Sequence, residues 1–246
     1  MKNRVAFTLP QLLVAVAVGS LLIVALLPTL QSDRATLQRS ICANNLREIG
    51  QAITMYAGDN NDFFPPGYVS GVGATDWHLI VGPYLASSHI TYTSGPAKSP
   101  VFICPAAVLV PPPGTTVSLT YTAHRAMFWC SPSPCTPLPV TYKMSQCTRP
   151  SEVVMVFDGC QQSVSSPVTF DAQACSDQLF DTITAYPGVN PNNAEAVGPN
   201  VDDSSGTGRI RWRHSNNNGA NFLMVDGHVN SLLVGQLLRR NLRYDP

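Results

Sequence analysis

The sequence predicts an α+β fold in which one long amino-terminal helix, a membrane half followed by an amphipathic half, packs on an antiparallel β-meander with long loops. Three observations predict it. Residues 5–32 carry no charge, residues 30–57 repeat apolar side chains at helical spacing, and two later segments share the pattern apolar run, Asp-Gly, second run.

The uncharged run is the first element. Crossing a hydrocarbon core takes about 20 apolar residues, and 7–30 supplies that length, with Lys2 and Arg4 before it and Asp33 after it. The positive charges put the amino terminus in the cytoplasm and the rest of the chain outside it. A cleaved secretory signal would need a small-x-small site beyond the apolar core, and PTLQSDRATLQ offers none.

From 31 to 58 the helix continues as an amphipathic element. Leu37, Ile41, Leu46, Ile49, Ile53 and Tyr56 recur at three to five residues, while Asp33, Arg34, Arg39, Arg47 and Glu48 occupy other faces. GDNNDFFPPG then breaks the helix. The remainder, 59–246, reads as one globular domain that begins with a short helix over Thr75–Leu85. A proline-rich, loop-like middle follows from Pro100 to Pro150, and a polar loop covers 185–208.

The paired segments are VVMVFDGCQQSV and NFLMVDGHVNSL. Asp-Gly between two alternating runs is a strong hairpin signal, because both residues accept the positive φ of a type I′ turn. Asp158-Gly159 and Asp226-Gly227 are therefore read as turns. RIRWRH alternates Arg209, Arg211 and Arg213 with Ile210 and Trp212, which predicts a strand with its arginines in solvent. The result is a three-stranded meander over Arg209–Leu233, closed by a short helix at Gly235–Asn241.

Acidic and basic residues balance at 15 each, so no global field draws in nucleic acid or an acidic substrate. The carboxyl-terminal arginines read as a solvated face, and no nucleic-acid partner is expected. Seven cysteines without a CxxC pair fit an oxidising compartment. Cys130 and Cys135 bracket SPSP closely enough for a local disulfide, two unbridged thiols in a loop being the alternative. His214, Asp226 and His228 could be an acid-base or metal set, but Asp226 is already explained by its turn, so no catalytic or metal-ligating residue is assigned. Asp202, Asp203, Ser204 and Asn216–Asn218 offer hard oxygen atoms suited to calcium, in a spacing that matches no defined calcium loop. No other cofactor is expected.

The boundary at RVAFTLPQLL resembles the class III signal of type IV pilins and type II secretion pseudopilins. That resemblance makes the expected fold pilin-like. It implies a cytoplasmic leader over 1–6, cleavage between Ala6 and Phe7 by a prepilin peptidase, methylation of Phe7, and retention of the helix as an assembly surface. This chain has Ala6 where the family usually has glycine, Pro10 in the first turn, and Gln11 where the family has a glutamate for helix assembly. A neutral amide there supplies a hydrogen bond in place of a charge.

CANNLREIGQAITMYAGDNNDFFPP, VFICP, RPSEVVMVFDG and RHSNNNGANFLMVDGHV resemble pseudopilin-like proteins with a prepilin-type H-X9-DG region. His214, Asp226 and Gly227 match that motif, with eleven residues between histidine and aspartate instead of nine. The resemblance implies a structural, non-enzymatic subunit of a type II secretion or type IV pilus-type envelope machine. It would be single-pass in the inner membrane, with prepilin peptidase and other pilin or pseudopilin subunits as partners. The other reading left open is a membrane-anchored exoplasmic enzyme or ligand-binding protein that borrows a pilin-like targeting segment.

Overall fold

A computed structural model describes residues 9–69, 75–85, 99–107, 119–128, 130–131, 142–165, 168–172, 190, 192–194, 200, 202 and 210–244. The chain divides into two compact units, Met1–Leu37 and Gln38–Pro246. Helix α1, Leu9–Asp59, begins in the first. There Leu9, Leu12, Leu13, Val14, Val16, Val18, Leu21 and Leu22 are all exposed.

Among the described residues, no helix is long and apolar enough to cross a membrane. This overturns the membrane half expected over 7–30 and the single-pass inner-membrane location that rested on it.

In the second unit α1 buries one stripe: Cys42, Leu46, Ile49, Ala52, Ile53 and Ala57. Steps of three, four and one keep these side chains on one face of a 3.6-residue helix. The helix ends where Asp62 N–H reaches back to the Ala57 carbonyl at 2.8 Å. Asn61 and Asp62 take φ of 54° and 71° there, a left-handed conformation that asparagine and aspartate tolerate better than most residues.

That stripe shares a core with one face of a four-stranded antiparallel sheet. The strands are β3 (Tyr121–Ala123), β5 (Val154–Asp158), β8 (Gly219–Met224) and β9 (Val229–Leu233), in the order β3-β5-β8-β9. Tyr121, Ala123, Met155, Val156 and Leu223 belong to the α1 side. Val154, Phe157, Ala220, Phe222 and Met224 face the other way, onto Ile210, Trp212, Leu237 and Leu242. β5 and β8 are buried along their whole length, which explains why VVMVF and NFLMV are continuously apolar. A shift in register between Val154 and Val156 places Met155 and Val156 on the same side.

Two smaller sheets complete the described structure. β1 (Tyr68–Val69) pairs antiparallel with β2 (Thr75–Asp76) and parallel with β4 (Cys130–Ser131), and β6 (Gln161–Ser165) pairs with β7 (Val168–Ala172). The short helix expected over Thr75–Leu85 is α2, Trp77–Val81, continued by a 3-10 turn over Gly82–Tyr84.

The fold class is thereby corrected from a pilin-like helix on a meander. The main sheet joins strands distant in sequence, and a parallel pair exists elsewhere. Asp158-Gly159 is not a hairpin turn, because β5 pairs with β3 and β8 while β6 pairs with β7. Within RIRWRH, only isolated bridges form in the described part, Gly159 with Ile210 and His214 with Gly219. Arg211 and Arg213 are buried there together with Ile210 and Trp212. Alternation misled because both kinds of side chain are enclosed, the arginines by ion pairing. The hairpin at Asp226-Gly227 does form, but its turn closes through Gly227 N–H to the Met224 carbonyl, 3.0 Å, and only Gly227, at φ 89°, is left-handed. That is a longer turn ending in a left-handed glycine, not type I′. The final helix is a 3-10 turn over Arg239–Leu242.

Candidate functional site

Ionisable and sulfur-bearing side chains converge below the end of β5. Asp158 closes that strand and is fully buried. Its Oδ2 accepts the Asn221 backbone N–H at 2.8 Å and lies 3.2 Å from His214 Nε2. Arg213 Nε stands 4.0 Å from Oδ1, and the Arg213 guanidinium donates to the Gly159 carbonyl. Burying a carboxylate is costly unless it is paired and hydrogen-bonded. Here a guanidinium, an imidazole and a backbone amide meet it.

His214 is placed by a local device. Its N–H and carbonyl both bond Gly219, each at 2.8 Å, and the intervening Ser215, Asn216 and Asn217 take φ of 50°, 59° and 59°. Three left-handed residues in succession suit the asparagine-rich SNNN. A Cβ at Gly219 would come within 3.1 Å of Ser215 Oγ.

On its other side, His214 Nε2 lies 3.7 Å from Cys104 Sγ. Cys104 forms a disulfide with Cys42 of α1, across 62 residues of sequence. Both cysteines are fully buried, and Thr120 Oγ1 holds the Cys104 N–H at 2.7 Å. Tyr121 donates to the Cys42 carbonyl at 3.4 Å. Burial first, and then the charge of Asp158, raises its phenol well above the ordinary value. The cluster is an enclosed cross-link between α1, β5 and the turn before β8.

A second network lies beside it. Arg211 Nε meets Asp202 Oδ2 at 2.9 Å, and Asp202 Oδ1 accepts the Gln161 N–H at 2.9 Å. Asn200 Oδ1 takes both Arg211 and the Trp212 N–H. The arginines at 211 and 213 are thus internal counter-charges and not a solvated basic face. Asp202, offered by the sequence as a calcium ligand, has each oxygen occupied within the protein. Asp203 and Ser204 lie outside the described residues, and Asn216–Asn218 form the exposed turn after His214.

The remaining expected positions separate. Asp226 and His228 form an exposed pair, with Nδ1 and Oδ1 2.5 Å apart, at the opposite end of β8 from His214. Six strand residues span roughly 20 Å, so the three do not make one centre. Gln11 is exposed on α1. Ala6, Phe7 and Cys135 lie outside the described residues, and the Cys130–Cys135 bridge with them. A separate open cleft of about 350 Å³ lies at the end of α1, lined by Tyr56, Asp59, Asn61 and Phe63 among others.

Sequence reasoning missed the Cys42–Cys104 bridge and the burial of Asp158 and Arg213. One signal was available: an aspartate ending a continuously apolar run, with a second run of that kind and an arginine-rich segment to pair with it. No protein-family model, curated protein or solved structure matches this chain. Nothing in those comparisons supports the pilin and secretion-machine vocabulary.

Proposed function

We propose that this chain is a prepilin-like structural subunit, cut between Ala6 and Phe7 by a prepilin peptidase, and that it is not an enzyme. Its amino-terminal helix is the assembly element, packing against the equivalent helices of other subunits. The observation that carries the reading is the exposed apolar side chains of α1 between Leu9 and Leu22, a segment that a stable protein covers with a partner. The enclosure of the Asp158–His214 pair adds support, because with exposures of 0% and 4% it offers no access to a substrate.

Mass spectrometry of the mature amino terminus tests the proposal. A chain that starts at N-methyl-Phe7 supports it. An intact Met1 in a host that processes a control prepilin rejects it and favours a targeting segment without assembly.

A further inference from the structure

We propose that Cys42, Cys104 and His214, with Asp158, form a zinc-binding site when the disulfide is reduced, so that the cation takes over the cross-link the sulfurs make when oxidised. The ligand atoms of the two cysteines and His214 all lie within 4.8 Å of one another, and all three residues are buried. Two thiolates and an imidazole select a soft or borderline cation over calcium or magnesium.

Two of the spacings match those within one tetrahedron. With Zn–S near 2.3 Å and Zn–N near 2.05 Å, a sulfur and a nitrogen on the same zinc stand about 3.6 Å apart. Cys104 Sγ and His214 Nε2 are 3.7 Å apart. Nitrogen and oxygen ligands at about 2.05 Å stand about 3.3 Å apart, and His214 Nε2 and Asp158 Oδ2 are at 3.2 Å. The two sulfurs, bonded to each other in the oxidised chain, must move apart.

Charge balance points the same way. Two thiolates, one carboxylate and one zinc leave a single negative charge, and Arg213, 4.0 Å from Asp158 Oδ1, offsets it. Asp158 Oδ1 is buried without a hydrogen bond and faces the Arg213 guanidinium, which leaves Oδ2, beside His214, as the oxygen offered to the cation. Such a site would hold α1 in place before the disulfide forms and would protect these two thiols from the other five cysteines of the chain.

The test uses the full chain reduced by a water-soluble tertiary phosphine. The phosphine takes up one oxygen from water and becomes its oxide, the S–S bond breaks, and two thiols form. Zinc then displaces the two thiol protons to solvent. Zinc content after anaerobic desalting should be one per reduced chain and none per oxidised chain. Cobalt in its place should show a thiolate-to-metal charge-transfer band. The double variant Cys42→Ser, Cys104→Ser keeps the other cysteines and should lose the zinc, and His214→Ala should lose it or shift the cobalt spectrum. Zinc retained by the double variant, equal binding by the oxidised chain, or no binding by the reduced chain overturns the proposal. If His214→Ala does not fold, the wild-type cobalt spectrum decides, and a spectrum without thiolate character overturns it.

Discussion

Gly50 of α1 lies directly against Leu223 of β8: a Cβ on Gly50 would stand 2.9 Å from Leu223 Cδ1 and 3.4 Å from Cδ2. Glycine here is a matter of space, since a Cβ would require the Leu223 side chain to shift. Gly50→Ala should be close to neutral, because about 1 kcal/mol of helix propensity is offset by the displacement of Leu223. Gly50→Leu should destabilise by roughly 1–3 kcal/mol through overpacking. Denaturant unfolding of the two variants checks both, and equal stability would contradict the close approach.

Removing Asp158 should cost far more than removing an exposed carboxylate. Asp158→Ala strands Arg213 and His214 in a buried site, and breaking such a pair costs roughly 3–5 kcal/mol. Asp226→Ala, on the exposed turn, should cost about 1 kcal/mol or less. A comparison of thermal midpoints would show the difference.

Stability should fall in mild acid. Burial lowers His78 to about 4, and both its ring nitrogens lack hydrogen bonds. Burial also lowers His124 to about 4. Its Nδ1 accepts the Ala126 N–H at 3.1 Å and its Nε2 faces the Leu242 carbonyl at 3.0 Å, which fixes a neutral tautomer. Between the unfolded pKa of about 6.5 and the folded value, the unfolded chain holds more protons, so stability is lost as pH falls through this window. Each histidine contributes about 3 kcal/mol by pH 4. His78→Leu should flatten the slope of the unfolding midpoint between pH 7 and 5, and an unchanged slope would remove His78 from the account.

Gly227→Val should destabilise by roughly 1 kcal/mol or more, because φ of 89° is strained for a β-branched residue. Asp226→Asn should be nearly silent: asparagine keeps an oxygen for the His228 N–H, which Asp226 Oδ1 accepts at 3.1 Å. Thermal unfolding at neutral pH measures both.

Loss of the Cys42–Cys104 bridge should be costly. Closing a loop of this length in the unfolded chain is worth about 4 kcal/mol. The double serine variant should unfold at correspondingly lower denaturant in metal-free buffer. A midpoint equal to that of the oxidised parent would mean that the bridge leaves the unfolded chain unconstrained.

Leu46, Ile49 and Ile53 of the helix stripe and the paired apolar runs were legible in the sequence, because periodicity and continuous hydrophobicity are local signals, whereas Leu37 and Ile41, read onto the same face, are exposed. Strand partners were not. VVMVF and NFLMV look like two separate hairpins, yet β5 and β8 pair with each other, and nothing local in a strand specifies a neighbour some sixty residues away. Asp158 was read as a turn residue because Asp-Gly has one common local explanation. Its burial depends on Arg213 and His214, which arrive from another part of the chain. The alternation of RIRWRH was read as a strand with a solvated face, but only isolated bridges form there, and Arg211 and Arg213 are buried because Asp202 and Asp158 neutralise them.

The order β3-β5-β8-β9 also has a consequence for synthesis on the ribosome. The α1 stripe and β5 are made well before β8, which covers one edge of β5 and supplies Leu223 beneath Gly50. Contacts of such long sequence separation form slowly. Until β8 has emerged, part of the α1 stripe and one edge of β5 stay uncovered, the condition in which nascent chains aggregate or need a chaperone. Truncation anywhere before Gly219 would leave a chain in that state permanently.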